Sequence, residues 1–340
     1  MNRAAQDHRA GSDPVDWELA VATAARLVRP GPVVPRAEAD VAVGRLREQA
    51  IDAEVHVREL TGLGHGLPLR AGEVVDRPGW VRAAVQGLAA LTDGALPRQS
   101  GAFSGVLSGT AGVQAGVVVA FLSARVLGQY DPFSDGGRLL LVAPNIVGAQ
   151  RSLDVDGSDF SMWVCLHEGT HRLQFTAVPW LRDHFSGLVT RLLSTMDDGV
   201  AVRLRDLPRR LREAGGFVDL LQNPAQREVL DQLIALSTLL EGHADHVMDA
   251  VGPEVVPSVG VIRERFTARR KGGGMLDRVL RTLLGVEAKV RQYAEGAAFT
   301  RHVVDAVGMP GFNAVWTGPD TLPTRAEIAD PAAWLRRVSP

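Results

Sequence analysis

The stretch that decides the fold is His167-Glu168-Gly169-Thr170-His171, inside an apolar segment that runs from Asp159 to Phe175. The apolar residues are dense enough to predict a buried helix, with Ser158 or Asp159 as its N-cap. On a helix the two histidines lie one turn apart on one face, where both imidazoles can bind the same Zn²⁺. Glu168 is rotated by about 100° from His167, so its carboxylate is predicted to reach a water molecule rather than the metal.

Two histidines leave a catalytic zinc site one protein ligand short, because three protein ligands and one open position are usual. A third histidine six residues after the second would give the metzincin pattern, but that position is Ala177. Glu241 is the preferred candidate, because it lies in an apolar helix where an unpaired carboxylate is costly. His243 and His246 in the same helix are alternative ligands. Asp245, one turn after Glu241, is predicted to accept a hydrogen bond from the outer nitrogen of a ligand histidine.

The composition indicates a soluble globular chain of one large or two modest domains, since 46% of its 340 residues are hydrophobic. A net charge of −2 predicts no nucleic-acid partner. The single cysteine, Cys165, excludes an internal disulfide framework and is predicted to be a small core residue. The polar segment from Met1 to Pro14 contains no apolar run typical of a secretory signal, so the cytoplasm is the expected location.

Three parts are predicted along the chain. Residues 1–14 are predicted to be disordered, residues 15–98 to form an N-terminal helical portion, and residues 99–340 to form the catalytic portion, packed with the former as one unit. Helices are predicted at about 15–28, 36–60, 77–91, 180–196, 202–214, 217–221, 224–250 and 276–307. The uncharged, glycine-rich segment 101–124 is predicted to be a buried, tightly packed helix rather than a membrane span, so no membrane partner is expected.

The zinc motif and Glu241-x-x-x-Asp245 together resemble the gluzincin metallopeptidases, of which thermolysin is the familiar example. The whole chain is more similar to an actinobacterial family called zincin-like metallopeptidase type 2, some members of which are labelled as associated with biosynthesis of a deazaflavin coenzyme. This resemblance implies a zinc-dependent peptidase. The interval between His171 and Glu241 is much longer than in thermolysin-like enzymes. The residues that carry the family resemblance are the zinc helix, Leu240-Glu241-Gly242-His243-Ala244-Asp245, Arg291-Gln292-Tyr293 with Gly296, and Trp316 with Leu322-Pro323-Thr324.

The best strand candidate runs from Arg138 to Pro144, an apolar segment bounded by turn residues. It precedes the zinc-binding helix, where zincin peptidases keep the edge strand that pairs with an extended substrate. The fold class is therefore predicted to be mainly α (α+β): a zincin-like metallopeptidase fold with a small edge-strand element and an N-terminal helical portion.

The predicted function is that of a zinc-dependent hydrolase that cleaves a peptide or amide substrate, with Zn²⁺ as cofactor. Glu168 is predicted to take a proton from the activated water and to return it to the leaving amine. Tyr293 or His302 is a candidate donor to the oxyanion, although the register of Tyr293 with apolar neighbours also fits a core position. The alternatives are an interaction protein that binds zinc without catalysis and a helical scaffold that binds no metal.

Overall fold

A computed structural model describes residues 13–95, 104–194, 224–271 and 287–338 of the chain. Within these ranges, residues 269–271 and 287–294 are described by their backbone alone. The helices predicted at 202–214 and 217–221, and all but the last two residues of the N-terminal segment predicted to be disordered, lie outside the described residues.

The chain is mainly α-helical with one small sheet, as predicted. The strands are β1 (Glu73–Val75), β2 (Gly128–Asp131) and β3 (Arg138–Val142). The helices are α1 (Trp17–Leu27), α2 (Arg36–Thr61), α3 (Arg77–Thr92), α4 (Ser104–Ser123), α5 (Ala143–Leu153), α6 (Gly157–Ala177), α7 (Leu181–Ser194), α8 (Pro224–Ala250), α9 (Gly252–Val255), α10 (Val259–Lys271), α11 (Glu287–Phe312), α12 (Arg325–Ala329) and α13 (Pro331–Val338). Short 3₁₀ helices follow α11 at Asn313–Trp316 and Pro319–Thr321.

The three strands form a sheet in the order β1-β3-β2, in which β1 is parallel and β2 antiparallel to β3. The strand predicted between Arg138 and Pro144 is confirmed as β3, but its predicted edge position is wrong because it pairs with a neighbour on each side. The edge strand beside the zinc-motif helix is instead β2. Pro144 belongs to α5, which begins directly after β3.

Side chains of β3 alternate between two cores, as expected for a strand buried on both faces. Leu139 and Leu141 belong to a large core that includes α2, α5, α6, α8 and the end of α11. Leu140 and Val142 belong to a second core with α1, α3 and α4. The sheet is therefore the middle layer, and α6 lies on one side of it.

Helix α4 lies in the segment predicted to be a buried, tightly packed helix, but only one of its sides is buried. A Cβ atom at Gly112 or Gly116 would lie 2.3 Å from the Asp16 carbonyl oxygen or 2.5 Å from that of Ala20, so the glycines allow α1 to approach closely. The opposite side carries exposed apolar residues such as Val106. In the described ranges α4 is long and apolar enough to cross a membrane, and 28% of its most apolar window is buried.

Two contacts fix the helices that matter for the site. Helix α2 packs against α6, where the buried Glu54 carboxylate accepts a hydrogen bond of 2.6 Å from Arg172 and a second one from Arg58. Helix α8 crosses α11 at a pair of glycines, where a Cβ atom on Gly242 would lie 2.1 Å from the carbonyl carbon of Gly296. Only glycine permits this crossing without a shift of one helix.

Candidate metal centre

Helix α6 presents the two motif histidines on one face. The helix begins after Asp156, whose carboxylate accepts hydrogen bonds from the backbone N–H groups of Ser158 and Asp159, so the N-cap lies two residues before the earliest predicted one. The Nε2 atoms of His167 and His171 lie 3.2 Å apart, and both side chains are largely buried. The predicted one-turn arrangement of the histidines is therefore present.

Helix α8 places Glu241 beside the Nε2 atoms of the two histidines. Its carboxylate oxygens lie 3.6 Å from Nε2 of His167 and 3.8 Å from Nε2 of His171. These distances are too long for direct hydrogen bonds, yet a tetrahedral zinc with bonds of about 2.0–2.1 Å holds its ligand atoms roughly 3.3 Å apart. The two imidazoles and the carboxylate thus form a group that could hold a metal ion.

The outer nitrogens of the two histidines decide which ring atoms face the metal position. Nδ1 of His171 lies 2.9 Å from Oε1 of Gln174, and Nδ1 of His167 lies 3.2 Å from Sδ of Met248. Both partners are acceptors, so each Nδ1 carries the proton and each Nε2 presents a lone pair. Two lone pairs and a carboxylate that converge in this way repel one another unless a cation lies between them.

The amide of Gln174 has only one favourable orientation. Its Nε2 group donates to the Leu240 carbonyl oxygen at 2.9 Å and to Nδ1 of His243 at 3.1 Å, which leaves Oε1 to accept from His171. Sequence reasoning missed Gln174, because its position one turn after His171 does not by itself distinguish a partner of a ligand from a core residue. The amide both fixes the tautomer of His171 and ties α6 to α8 beside Glu241.

His243, one of the alternative ligands, belongs to this buried network and not to the ligand group. Burial, together with the nearby His246 and His171, lowers the pKa of His243 to about 3, so the ring is neutral. It packs against the rings of Phe312 and Trp316.

Glu168 lies under β2, the edge strand. The backbone N–H of Tyr130 donates to its carboxylate, and a Cβ atom on Gly128 would lie only 2.6 Å from its Cγ. Burial and the negative charge of Glu241 raise the pKa of Glu168 to about 8, against the opposing hydrogen bond from Tyr130. A cation held by His167, His171 and Glu241 would counteract this increase.

The predicted role of Asp245 needs correction. In the described part of the chain its carboxylate pairs with Arg263 of α10, at 3.1 Å from the guanidinium, and Gln174 takes the place beside His171 that was predicted for Asp245. Arg263 also pairs with Asp249 at 2.6 Å. Spacing correctly indicates that Asp245 lies on the same helix face as Glu241. It does not reveal that the Asp245 carboxylate forms an ion pair with an arginine of another helix.

The remaining predicted residues lie as follows. The side chain of Tyr293 is outside the described residues. His302, the alternative oxyanion donor, is exposed on α11. Cys165 is fully buried in the core as predicted, and burial raises the pKa of its thiol.

The candidate centre thus combines His-Glu-x-x-His on one helix with a glutamate from a second helix, and its two histidines and Glu241 could hold a metal ion. The model of the zincin-like metallopeptidase family matches residues 15–335, so the chain belongs to this family. The predicted family and fold class are thereby confirmed.

One solved structure with a closely similar fold comes from Chloroflexus aurantiacus and is described as a candidate hydrolase with a novel fold. It is 31% identical in sequence, with a TM-score of 0.72, and the match covers 96% of this chain and 99% of that one. No curated protein matches the chain.

Proposed function

We propose that the protein is a zinc-dependent hydrolase that cleaves amide bonds in peptides. The observation that carries this proposal is the position of Glu168. Its buried carboxylate lies next to the His167, His171 and Glu241 group without being part of it. A binding site with a purely structural metal would have no use for a second acidic group held beside the ligands under an edge strand.

His167, His171 and Glu241 would hold the zinc ion. When bound, zinc polarises the substrate carbonyl and lowers the pKa of water, which is the chemistry that amide hydrolysis requires. Glu168 then accepts a proton from the attacking water on a carboxylate oxygen and transfers it to the leaving nitrogen.

The edge of β2 offers a place for an extended substrate. The Leu127 carbonyl accepts a ladder hydrogen bond of 2.8 Å from Val142, so by the antiparallel alternation residues 128 and 130 turn their backbone groups to the free edge. The N–H of Tyr130 is used by Glu168, which leaves Gly128 to pair with substrate backbone next to the reacting carbonyl. This is the role that the sequence suggested for β3.

Metal content and two variants test the proposal. Wild-type protein should bind about one zinc per chain, and His171→Ala should lose most of this binding. Glu168→Gln should keep zinc but lose hydrolysis by about 10²–10⁴-fold, because the amide has the shape of the carboxylate without its basicity. A peptide library digested by the wild type and analysed by mass spectrometry supplies the activity readout.

The outcomes separate the alternatives. A protein that takes up no zinc even when zinc is added would refute the proposal. Zinc binding without cleavage of any peptide would favour the interaction protein, and cleavage retained by Glu168→Gln would show that another group is the base.

A further inference from the structure

A small surface cavity of about 50 Å³ lies at the end of the sheet where β3 begins. It has room for a few water molecules or one small anionic group. The lining residues are Arg70, Ala71, Glu73, Tyr130, Gly137, Arg138, Leu139, Arg172 and Thr176.

The lining is basic in a chain whose net charge is −2. It contains three arginines and one acidic residue. Arg138 donates two hydrogen bonds, of 2.7 and 2.9 Å, to the Glu73 carboxylate. Arg172 donates one of 2.6 Å to Glu54, which does not line the cavity.

Arg70 is different from the other two arginines. Its guanidinium donates to the Gly136 carbonyl oxygen at 2.7 Å, and among the described residues it has no carboxylate within ion-pair distance. The side chain is exposed, so it is free to meet an anion that enters the cavity.

Tyr130 connects the cavity with the metal centre. Its backbone N–H donates to Glu168, while its side chain lines the cavity. Burial raises the pKa of the Tyr130 hydroxyl, and the charges of Arg172 and Arg70 oppose this effect, which places both guanidinium groups near the phenol. In the described part of the chain the hydroxyl has no hydrogen-bond partner, so it too can donate to a ligand.

We propose that this cavity binds a carboxylate of the substrate, held by Arg70 and the Tyr130 hydroxyl with Arg172 and Arg138 behind them. Its assignment to a substrate rests on the proposed function, whereas anion binding by the cavity does not. Arg172 follows Glu168 by one helical turn, a rise of about 6 Å. An extended peptide advances about 3.3 Å per residue, so the carboxylate would lie roughly two residues from the scissile bond.

Two sources of such a carboxylate exist, the C-terminus of a peptide and an acidic side chain. Both can be tested by calorimetric binding of matched probes. The first pair is N-benzoyl-Gly-Phe and its C-terminal amide, and the second pair is the C-terminal amides of N-benzoyl-Gly-Glu and N-benzoyl-Gly-Gln. Binding is measured on zinc-loaded and on chelator-treated protein, because a carboxylate can also coordinate zinc directly.

In the wild type, one of the two acidic probes should bind about 5- to 10-fold more tightly than its neutral partner, with and without zinc. Arg70→Gln should abolish this preference and leave the neutral probes unaffected. Arg325→Gln is the control, since Arg325 is also an exposed arginine, lies outside the cavity lining and pairs with Asp231 at 2.6 Å. The probe pair that shows the preference identifies the source of the carboxylate.

Two results would overturn the proposal. In the first, neither acidic probe is preferred, or Arg70→Gln keeps the preference. In the second, the preference appears only in zinc-loaded protein, which would place the carboxylate on the metal. Because the readout is binding and not cleavage, a protein that cleaves no peptide can still pass or fail this test.

Discussion

Replacing Gln174 with methionine should weaken zinc binding, although Gln174 is not a ligand. The change acts indirectly, because Gln174 holds the ligand His171 in place. The side chain is fully buried and makes three polar contacts, at 2.9 Å to His171, 2.9 Å to Leu240 and 3.1 Å to His243. Methionine fills a similar volume, but its thioether sulfur is a much weaker hydrogen-bond acceptor than the amide oxygen. The imidazole of His171 then loses the group that holds its Nε2 lone pair towards the metal.

The expected magnitude follows from these contacts. Loss of the partner of a ligand histidine typically costs 10–100-fold in metal affinity, which is about 1.4–2.7 kcal/mol. The variant also leaves Nδ1 of His243 buried without its donor, at a further cost of about 1–3 kcal/mol in the free energy of unfolding. Zinc affinity is measured by competition with a chromogenic chelator, well below the unfolding temperature, and stability by denaturant unfolding of chelator-treated protein.

Thr170→Val is the matched control. Thr170 is fully buried in the same helix, and its hydroxyl donates only to the Leu166 carbonyl oxygen, at 2.7 Å. This variant should change stability but not zinc affinity. If Gln174→Met bound zinc as tightly as wild type, the amide would have no part in orienting His171, and the reasoning from the outer nitrogens would fail.

Three further variants test how the surrounding elements hold the site. Gly242→Ala should shift α8 at its crossing with α11 and carry Glu241 away, so zinc affinity should fall about 10-fold or more in the chelator assay. Gly128→Ala should leave zinc in place but push Glu168 aside, so hydrolysis should fall by at least about 10-fold. Asp245→Asn should release zinc to a chelator at the wild-type rate, because its carboxylate pairs with Arg263.

The glycine variants share one control. Gly44 lies inside α2 with no atom within 4 Å of an added Cβ, so Gly44→Ala should leave zinc affinity and hydrolysis unchanged and raise stability by about 0.4–1 kcal/mol. Wild-type zinc affinity in Gly242→Ala would show that the helix crossing does not position Glu241. Faster zinc release from Asp245→Asn would show that Asp245 does support zinc binding.

The parts of the site that could be predicted are those that leave a periodic signal. His167, Glu168 and His171 follow from helical spacing, and Glu241 follows from a carboxylate in an apolar helix. Gln174 could not be assigned, because a buried amide has no spacing rule that distinguishes a partner of a ligand from a core residue. Asp245 had the right spacing, but spacing does not show which residue of another helix reaches its carboxylate.

For the strands, too, only part of the structure could be predicted from the sequence. The apolar run of β3 marks a buried strand, and this prediction was confirmed. Its place in the sheet depends on β1 and β2, which have only three and four residues and no apolar alternation long enough to detect. Pairing order is a non-local property of the chain, so the edge strand beside Glu168 could be found only in the structure.

The interval between His171 and Glu241 is long, so the connection along the chain does not by itself keep the helix of the third ligand near α6. Packing must therefore supply what proximity in sequence supplies in thermolysin-like enzymes. Helix α6 is held against α2 by the Glu54–Arg172 pair and against the sheet, whereas α8 is held against α11 by the Gly242 crossing. Beside the ligands, the Gln174 amide of α6 donates to two groups of α8, the Leu240 carbonyl and Nδ1 of His243. One amide thus sets both the orientation of a histidine and the distance to the glutamate, which is why its loss should affect zinc binding more than the loss of any other uncharged side chain near the site.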